Sequence, residues 1–499
     1  MEFIMSIWEF FANNILTQPA YFIGLIVFIG YLLLKKPIYD ALAGFIKATV
    51  GYMILSVGSG GLVNNFRPIL VGLKERFNLH AMVIDPYFGQ NAVTEGLMEQ
   101  FGRTFSQVML LLLIAFIMNL VLVRLKKWTK MRAVFTTGHV QMQQASTAFW
   151  LILFCFPKLG ETPILILMGL VLGLYWAVGS NLTVEITQEL TEGGGFAIAH
   201  QQMFGIALVG KVAEKMKSKG EHTKRLDDLK FPGFLSIFNE NMVATSILMF
   251  AFFGTILVVL GKDYLVEAGF LAANKNFFFY TMTTALNFAV YLAILQLGVR
   301  TFVTELTNSF QGIANSLLPG AVPGIDCAAV FGFGSSNAVT VGFLMGALGQ
   351  FIAIAILILM KSPTLVIAGF VPVFFDNAVF AVYADYKGGI KAALLLPFIS
   401  GLIQVFGSAL IAGWVGLAEY GGYLGMFDWA TVWPMFTVVM KFLGFAGVAI
   451  VVLVLVAIPQ IQYRKHPDTY FLITEDYDAY LEKMAEKTRK RKGRYINYG

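Results

Sequence analysis

The 499-residue chain is short of charge: Asp, Glu, Lys and Arg make up 13% of it, against roughly 25% in an ordinary soluble domain. With 57% hydrophobic residues and a mean hydropathy of +0.71, there is too little polar surface to cover a water-soluble body of this size. Cysteine is scarcer still. Cys155 and Cys327 are the only two, both in apolar surroundings, so neither a disulfide framework nor a cysteine-rich metal site can be built. A phosphate-binding loop is missing as well: Gly261–Lys262 runs into Asp263 with no glycine pattern upstream, so the chain carries no ATPase of its own. The net charge of +6 is modest, and the basic residues fall in clusters between apolar runs, as the positive-inside rule demands and a nucleic-acid footprint does not. These shortages exclude a cytosolic enzyme, a disordered protein and a secreted disulfide scaffold. What is left is an integral membrane protein.

A bilayer core about 30 Å thick takes around 20 mostly apolar residues per spanning helix. Runs at 20–34, 106–123, 145–156, 163–178, 242–259, 278–297, 343–360, 393–411 and 442–458 qualify, several of them short or broken by Pro or Gly. Further apolar stretches at 51–61, 200–209, 301–322 and 366–384 carry polar or ionisable residues and read as buried helices, half-helices or re-entrant hairpins. The expectation is an all-α polytopic membrane protein with about eleven transmembrane helices plus re-entrant hairpins. Basic clusters at Lys35–Lys36, Arg124–Arg132, Lys211–Lys230 and the tail from Arg464 onward mark the cytoplasmic side. The first nineteen residues hold no Lys or Arg, which puts the N-terminus outside and the C-terminus in the cytoplasm. No cleavable signal peptide is expected, because the first apolar run starts late and lacks a basic n-region. Residues 1–463 then form the transport domain and 464–499 a charged cytoplasmic tail.

An internal repeat is faintly visible. Asn64–Asn65–Phe66 resembles Asn308–Ser309–Phe310, and the apolar stretch ending at Asp85 resembles the one ending at Asp326, both pairs about 240 residues apart. Duplicated halves with interrupted helices in matching places point to a transporter binding site at the repeat interface.

Polar residues inside apolar segments are costly and by default mark a pathway or a ligand site. Gly58–Ser59–Gly60–Gly61 reads as a helix break carrying a hydroxyl. At Asp85–Pro86–Tyr87 proline disfavours helix before it and lets the phenol project. Thr136–Thr137–Gly138–His139 leads into Gln143 and Gln144, with His139 and Gln143 on one helical face. Gly193–Gly194–Gly195 precedes His200, Gln201 and Gln202, and reads as the opening of a helix whose positive end favours an anion. Together with Asp326 these groups suit a small polyhydroxylated ligand, since amides both donate and accept. His139, His200 and Asp326 fit no standard zinc spacing, so no metal and no cofactor is expected. Cys327 has nothing basic beside it and reads as a packing residue. His80, His222 and His466 read as solvated.

At these residues the sequence resembles the enzyme IIC subunit of the bacterial L-ascorbate phosphotransferase system. The likeness is carried by Thr137–Gln144 (TGHVQMQQ), by Thr187–Phe196 (TQELTEGGGF) with His200–Gln201–Gln202, and by Pro319–Ala329 (PGAVPGIDCAA). The resemblance implies a homodimer of eleven-span protomers in the bacterial inner membrane, each with a substrate-carrying core domain and a V-shaped scaffold domain built from inverted repeats. It implies uptake of L-ascorbate and its delivery as L-ascorbate 6-phosphate, with the phosphoryl group coming from a phosphocysteine on a separate IIB protein, itself charged through IIA and HPr. The chain has no phosphorylated residue of its own in this scheme, so it belongs to a phosphotransferase only together with IIB. The carried-over substrate site is Ser59, Pro86, Tyr87, His139, Gln143, His200, Gln201 and Asp326, with Asp326 or His200 as acceptor of the 6-hydroxyl proton. Pro86 stands where the family usually has a hydroxyl residue, so only its backbone carbonyl could serve. The competing reading is a proton- or sodium-coupled symporter of a small organic anion, with Asp326 or a histidine as proton carrier.

Overall fold

Long helices dominate the computed structural model, which describes residues 10–11, 14–15, 19–76, 81–217, 224–228, 241–316, 318, 320–369 and 371–496. His80 and His222, and parts of the basic stretch 211–230, lie outside the described residues. The N-terminal half runs α1 (Pro19–Leu33), α2 (Ile38–Arg76), β1 (Ala81–Ile84), α3 (Pro86–Phe101), α4 (Phe105–Arg124), β2 (Ala133–Phe135), α5 (Gly138–Cys155), α6 (Glu161–Leu190), β3 (Ala197–Ile198) and α7 (Met203–Met216). The C-terminal half runs α8 (Asn241–Leu260), α9 (Phe277–Ser316), β4 (Val322–Ile325), α10 (Ser336–Leu359), β5 (Leu365–Ala368), α11 (Asn377–Gly388), α12 (Ile390–Val415), β6 (Gly422–Tyr423), α13 (Val432–Lys465) and α14 (Tyr477–Ile496). Among the described residues, five helical stretches are long and apolar enough to cross a membrane: Ile38–Gly58, Glu161–Leu190, Asn337–Leu359, Ile390–Val415 and Phe427–Lys465. The last is interrupted at Gly444, whose φ of +56° only glycine adopts without strain.

One expectation about glycine is corrected. Gly58–Gly61 does not break a helix: α2 runs through it unbroken for 39 residues. Gly61, and Gly51 a little earlier in the same helix, allow close approach instead. A Cβ on Gly51 would lie 2.7 Å from the Phe302 backbone nitrogen, and one on Gly61 would run into the Tyr291 ring, so small residues let α2 lie along the 40-residue α9. The stretch 301–322, expected as a buried helix, half-helix or re-entrant hairpin, continues α9 as far as Ser316. Helix α1 joins this pair, and the Tyr31 hydroxyl donates to Glu305 at 2.6 Å while Lys47 pairs with Glu305 at 3.4 Å.

Short strands are the feature that the all-α expectation did not contain. Two three-stranded parallel sheets form, ordered β5–β1–β6 and β2–β4–β3. The centre of each sheet comes from one half of the chain and both flanks from the other. Each central strand follows a very long helix and ends at an aspartate, Asp85 or Asp326. Backbone that stops being helical inside a membrane protein must still pair its N–H and C=O groups, and a few residues of parallel strand buried in protein meet that demand.

In the second sheet, β4 has glycine at its centre. A Cβ on Gly324 would sit 2.7 Å from Ala199 Cβ and 2.9 Å from Val134 O, against both flanking segments at once. Gly324→Ala is therefore expected to destabilise the protein by about 1–3 kcal/mol through overpacking, seen as a lower melting temperature in detergent. An unchanged melting temperature would mean that β2 and β3 can spread freely. Behind this sheet lies a buried cap of the tail: Arg132, fully buried, donates to Tyr470 O at 2.7 Å and lies over the Tyr470 ring at 3.6 Å, and its Nε donates to Asn181 Oδ1 at 3.1 Å. The segment after residue 464 is thus packed against the sheet at its start and helical beyond it.

Candidate functional site

Parallel strands present all their C-terminal ends on one edge, and the β2–β4–β3 edge gathers the polar segments. β2 leads through Thr136 and Thr137 to His139 at the start of α5, β3 leads through Ala199 to His200, and β4 ends on Asp326. Side-chain bonds lock the three together. Thr136 donates through its hydroxyl to Gly324 O at 2.7 Å, Thr137 through its hydroxyl to Ala199 O at 2.8 Å, and Ala199 N donates to Ile325 O at 2.8 Å.

The result is a compact cluster. His139 Nε2 lies 3.4 Å and His200 Nε2 4.0 Å from the same carboxylate oxygen, Asp326 Oδ2. The other carboxylate oxygen accepts the Ala328 N–H at 2.9 Å and so caps the short 3₁₀ turn that follows. His200 Nδ1 is bonded to Gln202 Oε1 at 2.7 Å, and His139 Nδ1 to the Tyr52 hydroxyl at 2.6 Å. Gln201 Nε2 donates to Gln143 Oε1 at 3.0 Å, leaving Gln201 Oε1 buried with no hydrogen-bond partner among the described residues. An orphaned buried acceptor is costly, and a ligand hydroxyl would satisfy it. Of the three central groups only His139 has appreciable exposure, 24% of its side chain.

The sequence-derived site residues divide cleanly. His139, Gln143, His200, Gln201 and Asp326 come together here. Pro86 is buried at the start of α3, after the central strand of the other sheet. Ser59 lies in α2 and Tyr87 in α3, but their side chains are outside the described ones. Gln144 has a framing role: it accepts from Trp176 Nε1 at 2.6 Å and donates to His200 O at 3.0 Å. Cys327 is fully buried.

The helix-dipole argument for an anion is overturned. Gly193–Gly195 does not open a helix; Gly193 (φ +84°) and Gly195 (φ +75°) form the turn between α6 and β3. The helix that does start nearby is α7, two residues after Gln201, and its first amides are taken. Phe204 N donates to Asp428 Oδ2 at 3.0 Å and Gly205 N to Asp428 Oδ1 at 2.9 Å. Asp428 also accepts the Tyr175 hydroxyl at 2.8 Å. A carboxylate side chain already occupies this positive helix end, so it is not open to an anionic ligand. Tyr52 and Asp428 are the functional neighbours that sequence reasoning missed. A lone Tyr beside Gly51, and an Asp inside an apolar run, were the signals available.

This architecture has known relatives. The family model described as PTS system sugar-specific permease component matches residues 14–434. The ascorbate-specific PTS system EIIC component of Mycoplasma pneumoniae is 34% identical over 440 residues, which cover 81% of this chain and 66% of that protein's length. With the match running through every segment of the cluster, the chain belongs to the family of sugar-specific permease components of the phosphotransferase system.

Proposed function

We propose that the protein is the membrane-embedded IIC subunit that takes up L-ascorbate and releases it as L-ascorbate 6-phosphate, with the phosphoryl group supplied by a phosphocysteine of a separate IIB protein charged through IIA and HPr. The single observation that carries this reading is the cluster of His139, His200 and Asp326 beside the Gln143–Gln201 pair. The groups can hold a polyhydroxylated ring through amides and accept a hydroxyl proton at Asp326 or His200. Ser59, Pro86 and Tyr87 complete the substrate site from α2 and the other sheet, and no metal or cofactor takes part in transfer.

The reading includes about eleven spans with the N-terminus outside and the C-terminus in the cytoplasm of a bacterial cell, and a homodimer in the inner membrane. The reciprocal exchange of strands between the two halves supports a pair of inverted repeats, with core and V-shaped scaffold domains interleaved over residues 1–463. Moving the core against the scaffold would carry the sugar across. The basic stretch 211–230 and the tail from 464 would meet IIB.

Uptake of labelled ascorbate into vesicles, with and without phosphorylated IIB, tests the reading. Ascorbate phosphate should form inside only when charged IIB is present. Accumulation of free ascorbate driven by a proton or sodium gradient would replace this reading with symport.

A further inference from the structure

Seen as electron-pair donors, the cluster has an unusual feature: three of them converge on one point. One donor atom each from His139, His200 and Asp326 lies within 4.8 Å of the other two. Standard ligand spacing is missing from the sequence because the ligands follow three separate strands, and only the parallel sheet brings those strand ends to one edge. With its Nδ1 bonded to Gln202 Oε1, His200 turns its Nε2 toward the Asp326 carboxylate.

The surroundings match those of metal-binding histidines. Such imidazoles are held by a hydrogen bond at the nitrogen that does not ligate, and both Nδ1 atoms here are held, by Tyr52 and Gln202. Asp326 is fixed in the same way, through Oδ1, leaving Oδ2 for the shared point. Four-coordinate zinc with bonds of about 2.0–2.1 Å places its ligand atoms roughly 3.3–3.4 Å apart. The His139–Asp326 separation of 3.4 Å equals that spacing and the His200–Asp326 separation of 4.0 Å exceeds it slightly. Two imidazoles and one carboxylate suit a borderline divalent ion and leave a fourth position for water.

We propose that His139, His200 and Asp326 form a transition-metal site that takes Zn²⁺, and that a bound ion excludes the sugar acid by engaging the atoms which its hydroxyls need. The site is inhibitory and lies outside the transport cycle. Only the exclusion depends on the reading of the cluster as the sugar site; the binding itself does not.

The test uses purified full-length protein, stripped with a chelator and free of sugar, titrated with Zn²⁺ and in parallel with Co²⁺. One ion per protomer is expected, with the intense visible absorption of four-coordinate Co²⁺ and a rise in melting temperature on adding Zn²⁺. His200→Gln and Asp326→Asn should each weaken Zn²⁺ binding by about 100-fold or more, while Tyr52→Phe, which removes only an outer partner, should cost about 10-fold. His466→Gln, in the tail and away from the cluster, should leave Zn²⁺ affinity unchanged. Equal Zn²⁺ affinity in the wild type and both cluster variants overturns the proposal, and so does a six-coordinate, solvent-like Co²⁺ spectrum of the wild type, which needs no variant to fold. Displacement of labelled ascorbate by Zn²⁺ supports the exclusion, and co-binding of the two overturns it. Zn²⁺ bound at the cluster in a protein that never binds ascorbate would uphold the metal site and sink the transport reading alone.

Discussion

Asp326→Asn is expected to reduce IIB-dependent phosphorylation of ascorbate by about 10²-fold or more, the contribution of a positioned general base, while ascorbate affinity stays within a few fold. The substitution is nearly isosteric, and the amide oxygen can still accept the Ala328 N–H that Asp326 Oδ1 now holds at 2.9 Å. The chain segment after β4 therefore keeps its shape. What disappears is the negative charge and the basic oxygen that faces both imidazoles. An amide can still bond a sugar hydroxyl, but it cannot remove its proton as the hydroxyl attacks phosphorus. Equilibrium binding of labelled ascorbate, set beside single-turnover transfer from charged IIB, separates the two roles. If binding and transfer fall together, Asp326 holds the ligand and the base is elsewhere, with His200 next in line. Both measurements need chelator present, so that metal at the same atoms does not pass for a loss of binding.

Much of this cluster was legible before the fold. His139 and Gln143 sit one turn apart on α5 as their spacing required, and the polar residues around His200 and Asp326 were conspicuous because apolar surroundings make them costly. The membrane class followed from scarcity of charge, and apolar helices of spanning length are present. The failures share a physical cause: the meaning of a glycine depends on a partner far away in sequence. Gly58–Gly61 read as a break but lies in a helix, where Gly61 meets Tyr291 of α9. Gly193–Gly195 read as a helix start and is a turn after one. The strands of two to four residues are too short to show any periodicity, yet they bring the ligand atoms together. Asp428 was passed over because its partners, Tyr175, Phe204 and Gly205, lie more than 200 residues away.

Asp428→Leu is expected to destabilise the protein by about 3 kcal/mol, since it leaves two buried donors and one half-buried donor without an acceptor at about 1–3 kcal/mol each. Those donors are the Phe204 and Gly205 amides and the Tyr175 hydroxyl. Asp428 is itself fully buried, so water cannot take its place. The consequence reaches the site because α7 begins directly after Gln201 and Gln202, and Gln202 orients His200. Freed from its cap, the first turn of α7 can fray, and the His200–Gln202 segment loses the anchor on its C-terminal side. The gentler Asp428→Asn keeps one acceptor oxygen and should leave most of the protein folded, yet weaken ascorbate binding by about 10-fold, the size of a lost charge-assisted contact of roughly 1.4 kcal/mol. Melting temperature and ascorbate affinity, both measured on detergent-solubilised full-length protein, distinguish the outcomes. A lower melting temperature with unchanged affinity in Asp428→Asn would make the carboxylate a general brace for α6, α7 and α13. A fall in affinity at near-normal stability would make it a positioning residue for His200, acting through the start of α7.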